Sequence, residues 1–367
     1  MRHAPPEVMA AWPTPNYLDP VTRGPALIIV ELITLPIAFV VLALRLHVRI
    51  KILHKTGWDD WIMVAAATAA TGLTACIVVA FYRYGWDRHI WDSPLPTLMV
   101  GRQVSLAAQV LFIVGTALAK ISILVSYLRL APSSSWFRRL TIYSLWYIVL
   151  SNAAFVTVLF VQCRPISSYW NLLRTEQDCI SETATLLSHA IAAIMSDLLV
   201  WALPLPALYR AKLPLSQRIA LIVLFSFGLV VILAACIRTY YIHVVVQVSY
   251  DVTWDSFYLW IWTSIEMELG IICGCVPWLK SLFKVWQTKR AGTRASASTG
   301  ANSRTLRSDG RSRKTMSDAG AVYRMDNRRK YSNATRNAYL DLESCQESAG
   351  SRASSPGPAL TRPAPAR

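Results

Sequence analysis

The stretch LLSHAIAAIMSDLLVWALPLPALYRAKLPLSQRIALIVLFSFGLVVILAACIR, Leu186 to Arg238, consists of two apolar runs joined by a short basic link. Each run is about as long as the roughly 20 residues a helix needs to cross a bilayer core. Each also buries one ionisable residue, Asp197 in the first run and Arg238 in the second. A charge facing lipid costs several kcal/mol, so both side chains are expected to face inward.

Outward from this stretch the pattern repeats. Apolar segments cover about 26–48, 60–82, 104–129, 140–162, 183–209, 219–246 and 254–282, which reads as an all-α, polytopic bundle of seven transmembrane helices. Residues 1–25 read as a short exposed arm, 26–285 as the membrane domain and 286–367 as a tail. Composition supports the class. The chain is 54% hydrophobic and 16% charged, with a mean hydropathy of +0.37, which excludes an ordinary soluble domain. Beyond residue 287 stand sixteen Lys and Arg against six Asp and Glu. The net charge of +16 therefore belongs largely to a Ser- and Arg-rich tail without hydrophobic periodicity, expected to be disordered, and does not point to a nucleic-acid partner. Seven cysteines without a CxxC pair, and no H-x-x-x-H around His189 or His243, give no metal site.

The loops set an expected orientation. Arg49, Lys51 and Lys55, then Arg129, Arg138 and Arg139, then Arg210, Lys212 and Arg218 lie in loops 1, 3 and 5; Arg88, Arg102, Arg164 and Arg174 are counted to the other side. The positive-inside rule then puts the odd loops and the tail in the cytosol and the N-terminus outside, in a multi-pass protein of the plasma membrane. Asn333, in the only N-x-S/T sequon, should accordingly carry no glycan. Trp86, Trp91, Tyr169, Trp170 and Trp254 are expected at the outer interface. Cys163 and Cys179 both fall in loop 4, on the oxidising side, and are expected to form a disulfide.

The buried charges are the candidate site. Counted inward, Lys120 and Asp197 fall near mid-membrane, and Arg238 and Glu266 fall toward the outer half. Two ion pairs at two depths would either hold the bundle together or line a cavity for a polar ligand. Glu268 faces away from Glu266 without an obvious partner, and Glu31 is placed near the outer end of its segment, within reach of headgroups. Asp59 and Asp60, at the start of the second segment, are expected to cap a helix.

The motifs Gly57-Trp-Asp59-Asp60-Trp61, Lys120-Ile-Ser122 with Tyr127-Leu-Arg129, and Cys163-Arg-Pro165 with Trp170 come in that order along the chain. Asp197 with Leu203-Pro204-Leu-Pro206, Gly228 with Arg238, and Glu266 with Gly270 to Pro277 follow them. Together they resemble the fungal rhodopsin-domain integral membrane proteins over about 26–285. The resemblance implies a seven-helix protein of filamentous fungi, with some members receptor-like and linked to host sensing. The chain departs from the receptor-like members in lacking a Cys-rich extracellular module and in having Phe112 where a tyrosine is expected. Retinal is not expected, because the last segment has lysines only at its end, Lys280 and Lys284, and no cofactor is assigned.

The function expected is that of a receptor-like sensor of an extracellular or lipid-phase small molecule. Its partners would be the bilayer and cytosolic signalling proteins reached through loops 3 and 5 and the tail. The alternative is a transporter or membrane-embedded enzyme using the buried charges. Neither an inverted repeat nor a nucleophile, base and orienting group at one depth is visible, so enzyme activity is not assigned.

Overall fold

The computed structural model describes residues 5–130 apart from 53 and 55, then 136–171, 178–206 and 215–299. The basic link at 207–214, Arg174 and the tail beyond residue 299, with Asn333, lie outside the described residues. The chain divides into two compact units, residues 1–129 with 139–280, and residues 130–138 with 281–367.

Among the described residues, seven helices are long and apolar enough to cross a membrane. They are α1 (Ala26–His47), α2 (Trp58–Tyr84), α3 (Leu95–Leu130), α4 (Trp136–Val161), α5 (Glu182–Ala202), α6 (Leu215–His243) and α7 (Val252–Thr299). Single π-helical turns, Val48–Ile52 and Val244–Val248, extend α1 and α6. Large apolar side chains such as Leu32, Val40, Leu150 and Leu233 stand 60% or more exposed on α1, α4 and α6. In water that would be a liability; in a bilayer it is the lipid-facing surface, since backbone groups are satisfied within each helix.

Local chemistry sets the helix ends. Asp60 Oδ2 accepts the Gly57 backbone N–H at 3.1 Å at the start of α2, and Gly85, at φ 64°, ends that helix in the left-handed conformation a glycine adopts freely. Ser181 Oγ accepts from Ala184 N to start α5. α3 begins nine residues earlier than the hydropathy pattern suggests, because Pro96 sits in its first turn, where a missing N–H costs nothing. Arg102, counted to a loop from the sequence, is therefore helical and buried.

Small residues bring the helices close. Ala66, Ala67, Ala69 and Ala70 of α2 are buried. A Cβ at Gly115 of α3 would lie 1.9 Å from Met267 Cε of α7, and one at Gly228 of α6 would lie 2.5 Å from Trp201 Cδ1 of α5. Gly274 packs on Met63 and Ile123, whereas a Cβ at Gly270 would meet nothing within 4 Å. Gly270 instead opens onto a cavity.

Cys163 and Cys179 are bonded. A short antiparallel bridge surrounds the bond, with Arg164 N donating to Asp178 O at 3.0 Å and Ile180 N to Gln162 O at 2.7 Å. With a sequence separation of 16 residues, the closed loop is worth about 3 kcal/mol on the chain-entropy model. Cys163→Ser is accordingly expected to lower stability against detergent unfolding by about that amount. A variant as stable as the parent under non-reducing conditions would contradict this.

The N-terminal arm is tied to this end of the bundle. Asn16 N donates to Asp92 Oδ1 at 2.9 Å, Arg23 N donates to Asp87 O at 3.0 Å, and Arg23 pairs with Asp255 at 3.3 Å. Burial raises the Asp87 carboxyl above its usual range.

Candidate functional site

At the disulfide end, loops cover the bundle. The His89 ring stacks between Trp91, at 4.5 Å, and Trp254, at 3.8 Å. Its Nδ1 lies 2.5 Å from Asp251 Oδ2, and Asp251 Oδ1 also accepts Ile90 N at 3.0 Å. The Arg23 guanidinium caps Trp254 and Tyr258, at 4.3 and 4.7 Å. The expected interfacial belt is thus partly a protein lid: Trp91 and Trp254 stack on His89, and Trp86 and Tyr169 are buried. Aromatics at a helix end reach headgroups only where no neighbouring loop covers them.

Beneath the lid lies a cavity of about 120 Å³ walled by α3 to α7. Arg102 lines it beside loop 4, with Nε donating to Tyr169 O at 2.9 Å, its guanidinium 4.4 Å from the Tyr169 ring centre, and a loose 3.5 Å contact to Glu182. The Tyr169 hydroxyl donates to Glu182 Oε1 at 3.2 Å. Burial and then the Glu182 carboxylate raise this phenol above its usual range, which keeps it protonated. Ile113, Phe155, Leu159, Ile242 and Trp260 give an apolar middle. His189, between Phe112 and Phe155, faces the same space.

The four buried charges singled out from the sequence lie at and below the cavity floor. Arg238 Nε lies 2.6 Å from Glu266 Oε2 and its NH2 lies 3.3 Å from Oε1, a two-pronged contact joining α6 to α7. The Arg238 guanidinium also sits 4.6 Å from the Phe112 ring centre. Lys120 Nζ is 3.1 Å from Asp197 Oδ1 and 2.8 Å from Ser196 Oγ, joining α3 to α5. Arg238 lines the upper cavity; Glu266, Lys120 and Asp197 line a second one of about 80 Å³ that reaches Gly274.

At the opposite end a larger network appears. Asp59 and Asp60 are buried, and they do more than cap α2. Arg45 donates to Asp60 Oδ1 at 3.1 Å, to Asp59 Oδ2 at 2.9 Å and to Gly274 O at 2.9 Å. Arg49 pairs with Asp59 and, at 2.9 Å, with Asp60. Arg129 of α3 donates to Asp59 Oδ1 at 2.8 Å. Ser126 Oγ donates to Asp59 Oδ2 at 3.0 Å, and Ser122 Oγ to Asp59 O at 2.5 Å. One carboxylate thus joins three arginines, and α1, α2, α3 and α7 meet there.

Glu31 departs from expectation. It is 1% exposed, accepts Thr74 Oγ1 at 2.6 Å and is bonded by Ser264, so it points between α1, α2 and α7 and not to headgroups. Glu268 is buried, and its Oε2 has no hydrogen-bond partner among the described residues.

The sequence reading missed Arg45 and Arg49, although their spacing of four puts them on one helix face at the level of Asp59. It also missed the cavity walls, because Gln109, Tyr169 and Glu182 come together only through loop 4.

The fold and these polar layers define an integral membrane protein with seven candidate spanning helices among the described residues, with buried charges lining the two cavities described above. The chain belongs to the fungal rhodopsin domain family, whose model matches residues 44–285. It is similar to a SAT4 family membrane protein of Emericella nidulans, 28% identical over 238 residues, which covers 64% of this chain and 56% of that relative. It also resembles wortmanamides biosynthesis cluster protein C of Talaromyces wortmannii, 25% identical over 67% of each chain. Receptor GIN3 of Arthrobotrys oligospora is 24% identical over 69% of this chain and 61% of the relative. The chain spans little more than half the length of the first of these relatives. No solved structure matches it.

Proposed function

We propose that this protein is a receptor-like sensor that takes a small molecule into the upper cavity, with the disulfide end outside the cell and the Asp59 end in the cytosol. The observation carrying this reading is the position of Arg238, paired with Glu266, in the floor of that cavity. A ligand seated there touches Arg238, which joins α6 to α7 by charge through Glu266. Below it, Lys120–Asp197 and then Gly274–Arg45–Asp59 continue the polar layers toward the other end. Occupancy that favours one arrangement of this column would shift the cytosolic ends of α3 and α6 toward signalling partners. The relative named as a receptor supports this reading; the relatives named after biosynthesis clusters leave the ligand open.

Ala108 tests it, because it is fully buried and lines the cavity. Ala108→Phe is expected to abolish saturable stabilisation by compounds that raise the melting temperature of the parent protein. Unchanged binding in the filled variant would place the ligand elsewhere and contradict the proposal.

A further inference from the structure

Among the described residues, the arginines lining the upper cavity are paired, Arg102 with Glu182 and Arg238 with Glu266, so an ionised ligand would enter apolar surroundings where neither cation is reserved for it. Besides Trp86 Nε1, two polar atoms of the cavity lining are nevertheless without partners among the described residues, Gln109 Oε1 and Trp260 Nε1. Both residues line the cavity, and Trp260 is 8% exposed. Leaving such groups unpaired in a native interior is costly, so each marks a position where a partner belongs.

The orientation of the Gln109 amide follows from its neighbours. Tyr169 gives its hydroxyl proton to Glu182 and so can only accept from the neighbouring Gln109 amide. The amide N–H₂ faces Tyr169, and Oε1 remains as a free acceptor. Trp260 Nε1 can only donate. The two residues lie within one helical turn of each other in depth. Gln109 is one turn above Phe112, at the Arg238 level, and Trp260 is six residues, about 9 Å, above Glu266. Trp86 Nε1 is also unpartnered, but a Cβ at Gly101 would lie 2.5 Å from it; it presses on the α3 backbone and is not counted.

We propose, resting on the reading of this cavity as the ligand site, that its ligand is an uncharged, mainly apolar molecule with one hydroxyl or amide group. Trp260 Nε1 donates to the oxygen of that group, and its O–H or N–H donates to Gln109 Oε1. The aliphatic and aromatic wall between Arg102 and Arg238 covers the rest of the molecule.

A matched series tests this with the full chain in phosphatidylcholine nanodiscs. Phenylpropanol and phenylpropionamide are compared with phenylpropionate, phenylpropylamine and propylbenzene, and binding is read from concentration-dependent thermal stabilisation against empty discs and Ala108→Phe. The neutral alcohol and amide are expected to bind at least about tenfold tighter than either charged analogue. Trp260→Phe and Gln109→Leu should each weaken the alcohol roughly fivefold to tenfold while leaving propylbenzene unchanged. Stronger binding of the carboxylate or the amine, or an alcohol affinity unaffected by both substitutions, would overturn the ligand class while leaving the cavity reading intact. If Ala108→Phe removes the binding of none of the probes, the ligand class and the cavity reading both fall.

Discussion

Asp59→Ala is expected to destabilise the bundle by about 3–5 kcal/mol, because removing one partner of a buried ion pair leaves the other uncompensated. Asp59 has no exposed side-chain surface, and Arg45 and Arg49, whose charges it balances, are likewise buried. Arg129, the third arginine on the same carboxylate, has 39% of its side chain exposed. Arg129→Ala should therefore cost less than about 1 kcal/mol, as solvent-screened pairs do. Detergent-induced unfolding of the two variants side by side checks the contrast. Equal losses would show that Asp59 is not the centre of the network.

The second large effect concerns the cavity floor. Arg238→Met alone should cost about 3–5 kcal/mol, since Glu266 would stay buried without its cation. The double variant Arg238→Met/Glu266→Leu should recover most of that loss, because well-packed apolar residues often replace a buried pair at little cost. A double variant as unstable as the single one would mean that the pair contributes more than mutual neutralisation. If the double variant folds, it keeps the cavity and removes the charged contact between α6 and α7.

Much of the fold was legible in the sequence because lipid imposes a strong pattern. Apolar runs of spanning length had to be helices, and charges within them had to find partners inside the bundle. That reasoning needed only depth along each helix, which 1.5 Å per residue supplies for Lys120, Asp197, Arg238 and Glu266. Depth does not give rotation about the helix axis. Glu31 was placed by depth alone, and its rotation toward Thr74 and Ser264 decides its role. Asp59 shows a different gap. A carboxylate at a helix start has a sufficient local explanation in capping, and only the meeting of α1, α3 and α7 at that level shows the arginines. The cavity was the least legible part, since Tyr169 and Glu182 reach it through the geometry of loop 4 around Cys163–Cys179.

Backbone amide hydrogen exchange, with and without saturating phenylpropanol, tests most directly whether cavity occupancy acts through the Arg238–Glu266 floor. In the parent protein, binding should slow exchange around residues 105–112 and 185–189 and also alter it at 45–61, around the Asp59 network. In Arg238→Met/Glu266→Leu the first effect should persist and the second should vanish. Protection confined to the cavity in the parent protein, with exchange at 45–61 unchanged, would contradict a sensor built on this column.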